Sequence, residues 1–411
     1  MHPSAAPLSF SQALSISAFR RLWMAQAVSI FGDFLAVFAV FAVATFRLHA
    51  TPSQITLVLV MYMLPLGVIS PLAGVMVDRW NLKRTMIASD LLRAAIASLL
   101  LVATQLWQIY AVFFSLACVS AFFVPAQSVL LRRMVPPHGL MAANALMSQA
   151  MQVTQIVSPA IAGVLVASAG PNVCFWFDVA SFLFSASMVW AIGVSGDHAL
   201  EGRTVDSFLA DMTAGLRFIF THRAISFVML SMTVGMFAVR CFGALLAVWV
   251  RDILAAGPAA FGLLNSCVGV GMICATQFVH RFGTKRSKPH LVVFGLTAAG
   301  AFILLVAAIP SVLTTGLGMF GMGLGIAFVF IPAQTLLQQV TPTDMLGRVS
   351  SSMMSSFALT QVFALLLSGS IAQAVGIRPL YFASAALLAA IAGYGWRRLA
   401  VAEPEAAAAK A

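Results

Sequence analysis

Apolar residues fill this chain in long blocks, broken by short polar and basic clusters. Twelve blocks stand out, near 22–46, 54–77, 85–105, 108–131, 142–168, 173–194, 225–249, 259–280, 290–309, 311–336, 346–374 and 378–397. At about 1.5 Å per residue, each is long enough for a helix across about 30 Å of hydrocarbon. The pattern therefore predicts twelve membrane-spanning helices. The only long connection runs from about Ser195 to Arg223. Within it Phe208, Leu209, Met212, Leu216, Ile219 and Phe220 recur at helical spacing, with Asp211, Arg217 and His222 between them. That spacing predicts a short helix lying on the inner membrane face. Residues 1–15 and the tail from Glu403 are expected to be disordered.

The second half of the pattern repeats the first. Phe123-Val-Pro-Ala-Gln127 recurs as Phe330-Ile-Pro-Ala-Gln334, an offset of 207 residues. Pro136 then answers to Pro342, Leu140 to Leu346, Gln155 to Gln361, Gly163 to Gly369 and Gly170 to Gly376, all at an offset of 206. The expected organisation is an N-terminal six-helix bundle over 1–194, a cytoplasmic linker with its interfacial helix over 195–223, and a C-terminal six-helix bundle with a short tail over 224–411. Parallel repeats about an axis along the membrane normal build carriers in which one half rocks against the other.

Composition agrees with an integral membrane protein. The chain is 61% hydrophobic and 9% charged, with mean hydropathy +0.99. A soluble protein of this size needs far more polar surface. With the N-terminus in the cytoplasm, 18 of the 23 Lys and Arg residues fall inside. Only Arg47, Arg251 and Arg378 fall outside, and Arg93 and Arg240 lie within spans. This bias predicts a multi-pass topology in a bacterial inner membrane with both termini cytoplasmic. The net charge of +11 then faces anionic lipid, and no nucleic-acid partner is expected. The first apolar block follows Arg20-Arg21 but has full spanning length and no small-residue cleavage site, so no cleaved signal peptide is expected. Cys118, Cys174, Cys241, Cys267 and Cys274 are scattered through helices without a Cys-x-x-Cys spacing, which argues against a disulfide frame or a zinc site. No phosphate-binding Gly-x-x-x-x-Gly-Lys-Ser/Thr loop is present, so transport would draw on an ion gradient, the substrate gradient or a partner protein. No cofactor and no metal are expected. No nucleophile–base pair suggests an enzyme.

Short motifs narrow the class. Gly74-Val-Met-Val-Asp78-Arg79-Trp-Asn-Leu-Lys83-Arg84 resembles the Gly-x-x-x-Asp-Arg-x-Gly-Arg-Lys signature between helices 2 and 3 of the major facilitator superfamily, with Asn81 in place of the second glycine. The resemblance implies an all-α membrane fold of two six-helix bundles and, by default, a monomer. It also implies a latch, in which Asp78, with Gly74, Arg79, Lys83 and Arg84 around it, docks on the N-terminus of helix 11 in the outward-facing state. The second-half copy around His280-Arg281-Phe-Gly283 is degenerate. Ser158-Pro159-Ala-Ile-Ala-Gly163 is similar to a worn Gly-Pro-x-x-Gly-Gly motif, which in this superfamily accompanies antiporters. Phe19-Arg20-Arg21-Leu22-Trp23, Gly32-Asp33, Asp90-Leu-Leu-Arg93, Pro136 to Leu146 and Phe177-Asp178-Val-Ala-Ser181-Phe182 together resemble the branch that holds the enterobactin exporter and the macrolide efflux proteins.

Ionisable residues in a span mark function, because each costs about 2.5–3.5 kcal/mol to insert at mid-membrane. Asp33 in helix 1 and Arg240 in helix 7 are the candidates for proton coupling and substrate binding. Asp33 is expected to carry the proton and Arg240 to tune it. Asp90 and Arg93, three apart on helix 3, are expected to pair as scaffold, and Asp178 to tie helices together. Uncharged cavity candidates are Gln26, Phe34, Gln152, Gln155, Phe237, Asn265 and Gln361. The glycine-dense run Gly316 to Gly325 is read as close helix packing and a flexing point.

The resulting expectation is a proton-coupled exporter of an amphipathic small molecule: a drug, a macrolide-like compound or a siderophore. The alternatives are a lipid or lysolipid flippase and, behind it, a metal exporter.

Overall fold

A computed structural model of the chain describes residues 8–77, 79–193, 217, 219, 221, 223–282, 288–341 and 345–408. In chain order the helices are α1 (Phe10–Ser15), α2 (Ser17–Ala42), α3 (Pro52–Val77), α4 (Leu82–Ser98), α5 (Leu106–Met134), α6 (Leu140–Ala169), α7 (Asn172–Trp190), α8 (Arg223–Ala244), α9 (Leu246–Asp252), α10 (Pro258–Phe282), α11 (Lys288–Ala308), α12 (Val312–Val340), α13 (Leu346–Val375) and α14 (Ile377–Ala408). No strand occurs among the described residues. In hydrocarbon a helix satisfies its backbone groups internally, so an all-helical chain of this composition is the expected solution.

Eleven of the described helices, some extended by a flanking turn, are long and apolar enough to span a membrane. The expected third span, 85–105, is the exception. There α4 has 17 residues and carries Lys83, Arg84, Asp90 and Arg93, then continues as a 3₁₀ turn over Leu99–Leu101. One expectation of disorder is corrected. Residues 10–15 form α1, because Ser9 and Gln12 make a reciprocal capping box and Ala13 is fully buried. The expected interfacial helix over 208–220 falls almost wholly outside the described residues.

The sequence repeat is a repeat of geometry. Helices α5 and α12 both have 29 residues and both carry an internal proline, Pro125 and Pro332. Helices α6 and α13 both have 30 residues. Both of those end on a glycine in a left-handed conformation, Gly170 at φ 85° and Gly376 at φ 92°. A side chain is disfavoured at such a φ, which explains why glycine occurs in both copies.

The chain divides into two compact units, Met1–Ala50 with Val58–Val205, and Thr51–Leu57 with Asp206–Ala411. In the first unit α2 packs mainly on α7 and α6, and α4 packs on α7 and α5. Phe19, Leu22, Leu82, Met86, Leu130, Met134, Leu146 and Val189 form a buried cluster near one end. The carbonyl end of α7 is capped by two cations. Lys83 Nζ donates to the Ile192 carbonyl at 2.7 Å, and the Arg21 guanidinium donates to the Ala191 carbonyl. Positive charge at a helix C-terminus satisfies unpaired carbonyls and complements the helix dipole. Asn81 caps α4 by accepting from the Arg84 amide at 3.0 Å.

In the second unit α12 is central, packed on α10 and α11. The close-packing part of the reading of Gly316 to Gly325 describes what is found. A Cβ added at Gly323 would lie 2.8 Å from the Val268 carbonyl carbon, and one at Gly271 would lie 2.9 Å from that of Phe320. The two helices cross backbone to backbone at these glycines. Trp249, Tyr381 and Phe242 fill the interior nearby, fully buried, with the Trp249 indole donating to Thr315 Oγ1 at 3.2 Å and the Tyr381 hydroxyl donating to the Phe242 carbonyl at 3.1 Å.

Candidate functional site

Four ionisable side chains gather inside the first unit, supplied by three helices. Helix α2 brings Asp33, α4 brings Asp90 and Arg93, and α7 brings Asp178. Close approach of α2 to α7 depends on Gly32. A Cβ there would lie 2.9 Å from Ser181 Cβ and 3.0 Å from Asp178 Oδ1. The backbone next to Asp33 therefore rests directly against Asp178.

Asp90 and Arg93 form the expected pair, buried and one turn apart. The second oxygen of Asp90 accepts from Ser185 Oγ at 2.7 Å. The Arg93 guanidinium carbon lies 4.2 Å from the centre of the Phe123 ring and 4.6 Å from that of Phe182. Two aromatic faces and one carboxylate thus hold the guanidinium in a region remote from water.

Asp33 and Asp178 line one small cavity with Tyr62, Arg93, Ser120 and Phe182. The free space is about 10 Å³, roughly room for one water. Asp178 is 1% exposed. Its Oδ1 has no hydrogen-bond partner among the described residues. Asp33 is half-buried and makes no described hydrogen bond or ion pair. Three carboxyl groups and one guanidinium thus lie together, with Asp90 alone bonded to the guanidinium. Among the described residues no group of three or more His, Cys, Asp or Glu side chains is placed to hold a metal ion.

The remaining candidates are spread through both units. Arg240 lies on α8 in the second unit, half-buried and without an ion pair among the described residues. The charges around Asp33 that belong to its own unit are Arg93, Asp90 and Asp178. Gln26 is buried in the first unit, and its Nε2 has no partner among the described residues. Phe34, Phe237, Asn265 and Gln361 are half-buried; Gln152 and Gln155 are exposed on α6. Ser158, Pro159 and Gly163 are all buried in α6. Of the latch residues, Asp78 lies outside the described residues. Gly74 is in α3, Arg79 and Arg84 are exposed, and Lys83 caps α7.

Sequence reasoning read Asp178 as a helix tie and did not bring it to Asp33. A signal was present. Asp178, Ser181 and Ser185 recur at i, i+3 and i+7, which places a polar stripe on one face of an otherwise apolar span.

The family model described as the Major Facilitator Superfamily matches residues 22–356 and 228–410. An uncharacterized MFS-type transporter, YfiS, of Bacillus subtilis (strain 168) is 26% identical over 376 residues, covering 89% of each chain. Macrolide efflux protein A of Streptococcus pyogenes is 24% identical over 387 residues, covering 91% of this chain and 94% of its own. Among solved structures, the nucleoside transporter NupG superposes with a TM-score of 0.74 at 11% identity, over 92% of this chain and 98% of its own, a likeness of fold alone.

Proposed function

Because this chain belongs to the Major Facilitator Superfamily and is a multi-pass membrane transporter, we propose that it exports amphipathic small molecules across the bacterial inner membrane in exchange for protons, with both termini cytoplasmic. The near full-length similarity to macrolide efflux protein A supports export of a drug-like or macrolide-like molecule. The observation that carries the coupling is the gathering of three carboxyl groups and one guanidinium among α2, α4 and α7 inside the first unit. Such groups are costly in a bilayer and are kept where a charge must be bound and released. In this reading Asp33 takes up a proton when the carrier opens outward and gives it up inward. Gln26, Phe34, Gln152, Gln155, Phe237, Asn265, Gln361 and Arg240 supply the substrate surface. The buried Ser158, Pro159 and Gly163 segment of α6 fits the antiporter reading. The carrier works as a monomer by alternating access.

Cells expressing the protein are expected to retain less of a hydrophobic dye or macrolide than control cells, and a protonophore is expected to abolish the difference. Higher accumulation would mean import. A difference that survives collapse of the gradient would favour a flippase or facilitator.

The latch belongs to the same proposal. Asp78→Asn is expected to abolish transport at normal membrane abundance and to raise the reactivity of cysteines introduced into the spans toward an impermeant reagent applied from the cytoplasmic side. Unchanged accessibility with full transport would remove Asp78 from the mechanism.

A further inference from the structure

We infer that Asp33 and Asp178 share one proton, forming a carboxylic acid–carboxylate pair inside the first unit that is the carrier's proton-binding site. Four observations lead there. Both side chains line the same cavity. Gly32 sets the backbone beside Asp33 against Asp178 Oδ1. That oxygen is buried and lacks a hydrogen-bond donor among the described residues, and a buried acceptor without a donor costs about 1–3 kcal/mol. The cation lining the cavity, Arg93, is bonded through one terminal nitrogen to Asp90, whose other oxygen is already taken by Ser185.

Charge balance leads to the same place. The ionisable groups facing the cavity or bonded to its lining are Asp33, Tyr62, Asp90, Arg93 and Asp178. The guanidinium balances Asp90. With all three carboxyls ionised, the one guanidinium lining the cavity would face three negative charges, and the two carboxylates not bonded to it would repel each other. Neighbouring carboxylates resolve this by holding a single proton between them. The proton stays bonded to an oxygen of one group and is donated in a hydrogen bond to the other, so the missing donor and the excess charge are supplied together. As the carrier's proton-binding site the pair rests on the proton-exchange reading above, whereas the shared proton itself does not.

The test is infrared spectroscopy of the purified full-length protein in lipid nanodiscs, titrated across neutral pH and compared in H₂O and D₂O. Wild type is expected to show the C=O band of a buried protonated carboxyl at neutral pH. Asp33→Asn and Asp178→Asn are each expected to lose it, because the remaining carboxylate faces Arg93 without a second acid. Asp252→Asn, which alters an exposed carboxylate paired with Arg251, is expected to keep it. Absence of the band in wild type overturns the inference, and this arm needs no variant to fold. Survival of the band in both single variants also overturns it. If the band behaves as expected while export proves insensitive to a protonophore, the proton site stands and the coupling falls. If export is protonophore-sensitive and wild type has no such band, coupling stands and this site falls.

Discussion

Asp33→Asn is expected to abolish gradient-driven export while leaving the protein in the membrane at wild-type abundance. Asparagine keeps the size and hydrogen-bonding shape of the side chain but cannot bind and release a proton. The helix contact at Gly32 is untouched, so the packing of α2 on α7 has no reason to change. Downhill exchange of substrate is expected to persist, because movement of the carrier does not itself require a proton gradient. Asp33→Glu retains the acid and is expected to recover part of the export, limited by an extra methylene in a cavity with room for roughly one water. Accumulation assays with and without an imposed pH gradient separate these outcomes. Export by Asp33→Asn at the wild-type rate under a gradient would return Asp33 to a structural role.

The architecture was legible in the sequence because membrane-spanning helices declare themselves by length, and because duplicated halves retained Pro125 with Pro332 and Gly170 with Gly376 at equivalent positions. Direction around each helix was harder to read. Lipid and protein interior are both apolar, so the faces of α2 or α8 differ little in hydrophobicity and the side that Asp33 presents is hidden. Asp90 and Arg93 were readable as a pair because three-residue spacing on a helix is itself a geometric statement. Asp33 and Asp178 are 145 positions apart, and only packing of α2 on α7 brings them into one cavity. The glycines of α12 lie between these cases. Their density announced close packing, but the partner strip on α10 is set by tertiary packing that local sequence does not encode.

That crossing carries the second large effect. Gly323→Val is expected to prevent stable folding of the second unit, or to leave protein with a markedly lower melting temperature in detergent. The added side chain would meet the Val268 carbonyl carbon at 2.8 Å and the Met272 amide nitrogen at 2.9 Å, and neither backbone group can rotate away as a side chain would. Overpacking typically costs about 1–3 kcal/mol, and backbone obstruction places this site at or above the upper end. Gly271→Val meets the reciprocal obstruction at Phe320 and is expected to behave alike. Gly393→Val on α14 is the matched control, since a Cβ there meets nothing within 4 Å, and it is expected to leave the melting temperature nearly unchanged. Equal melting temperatures for Gly323→Val and Gly393→Val would mean that α10 and α12 do not cross at these glycines.

The central claim is that substrate and proton exchange for one another through Asp33. Proton release into weakly buffered detergent solution, followed with a pH-sensitive dye as a transported macrolide or drug is added to purified protein, measures it most directly. Wild type is expected to release protons in saturable proportion to bound substrate, and Asp33→Asn to bind substrate without releasing any. Equal release from wild type and Asp33→Asn would contradict the account.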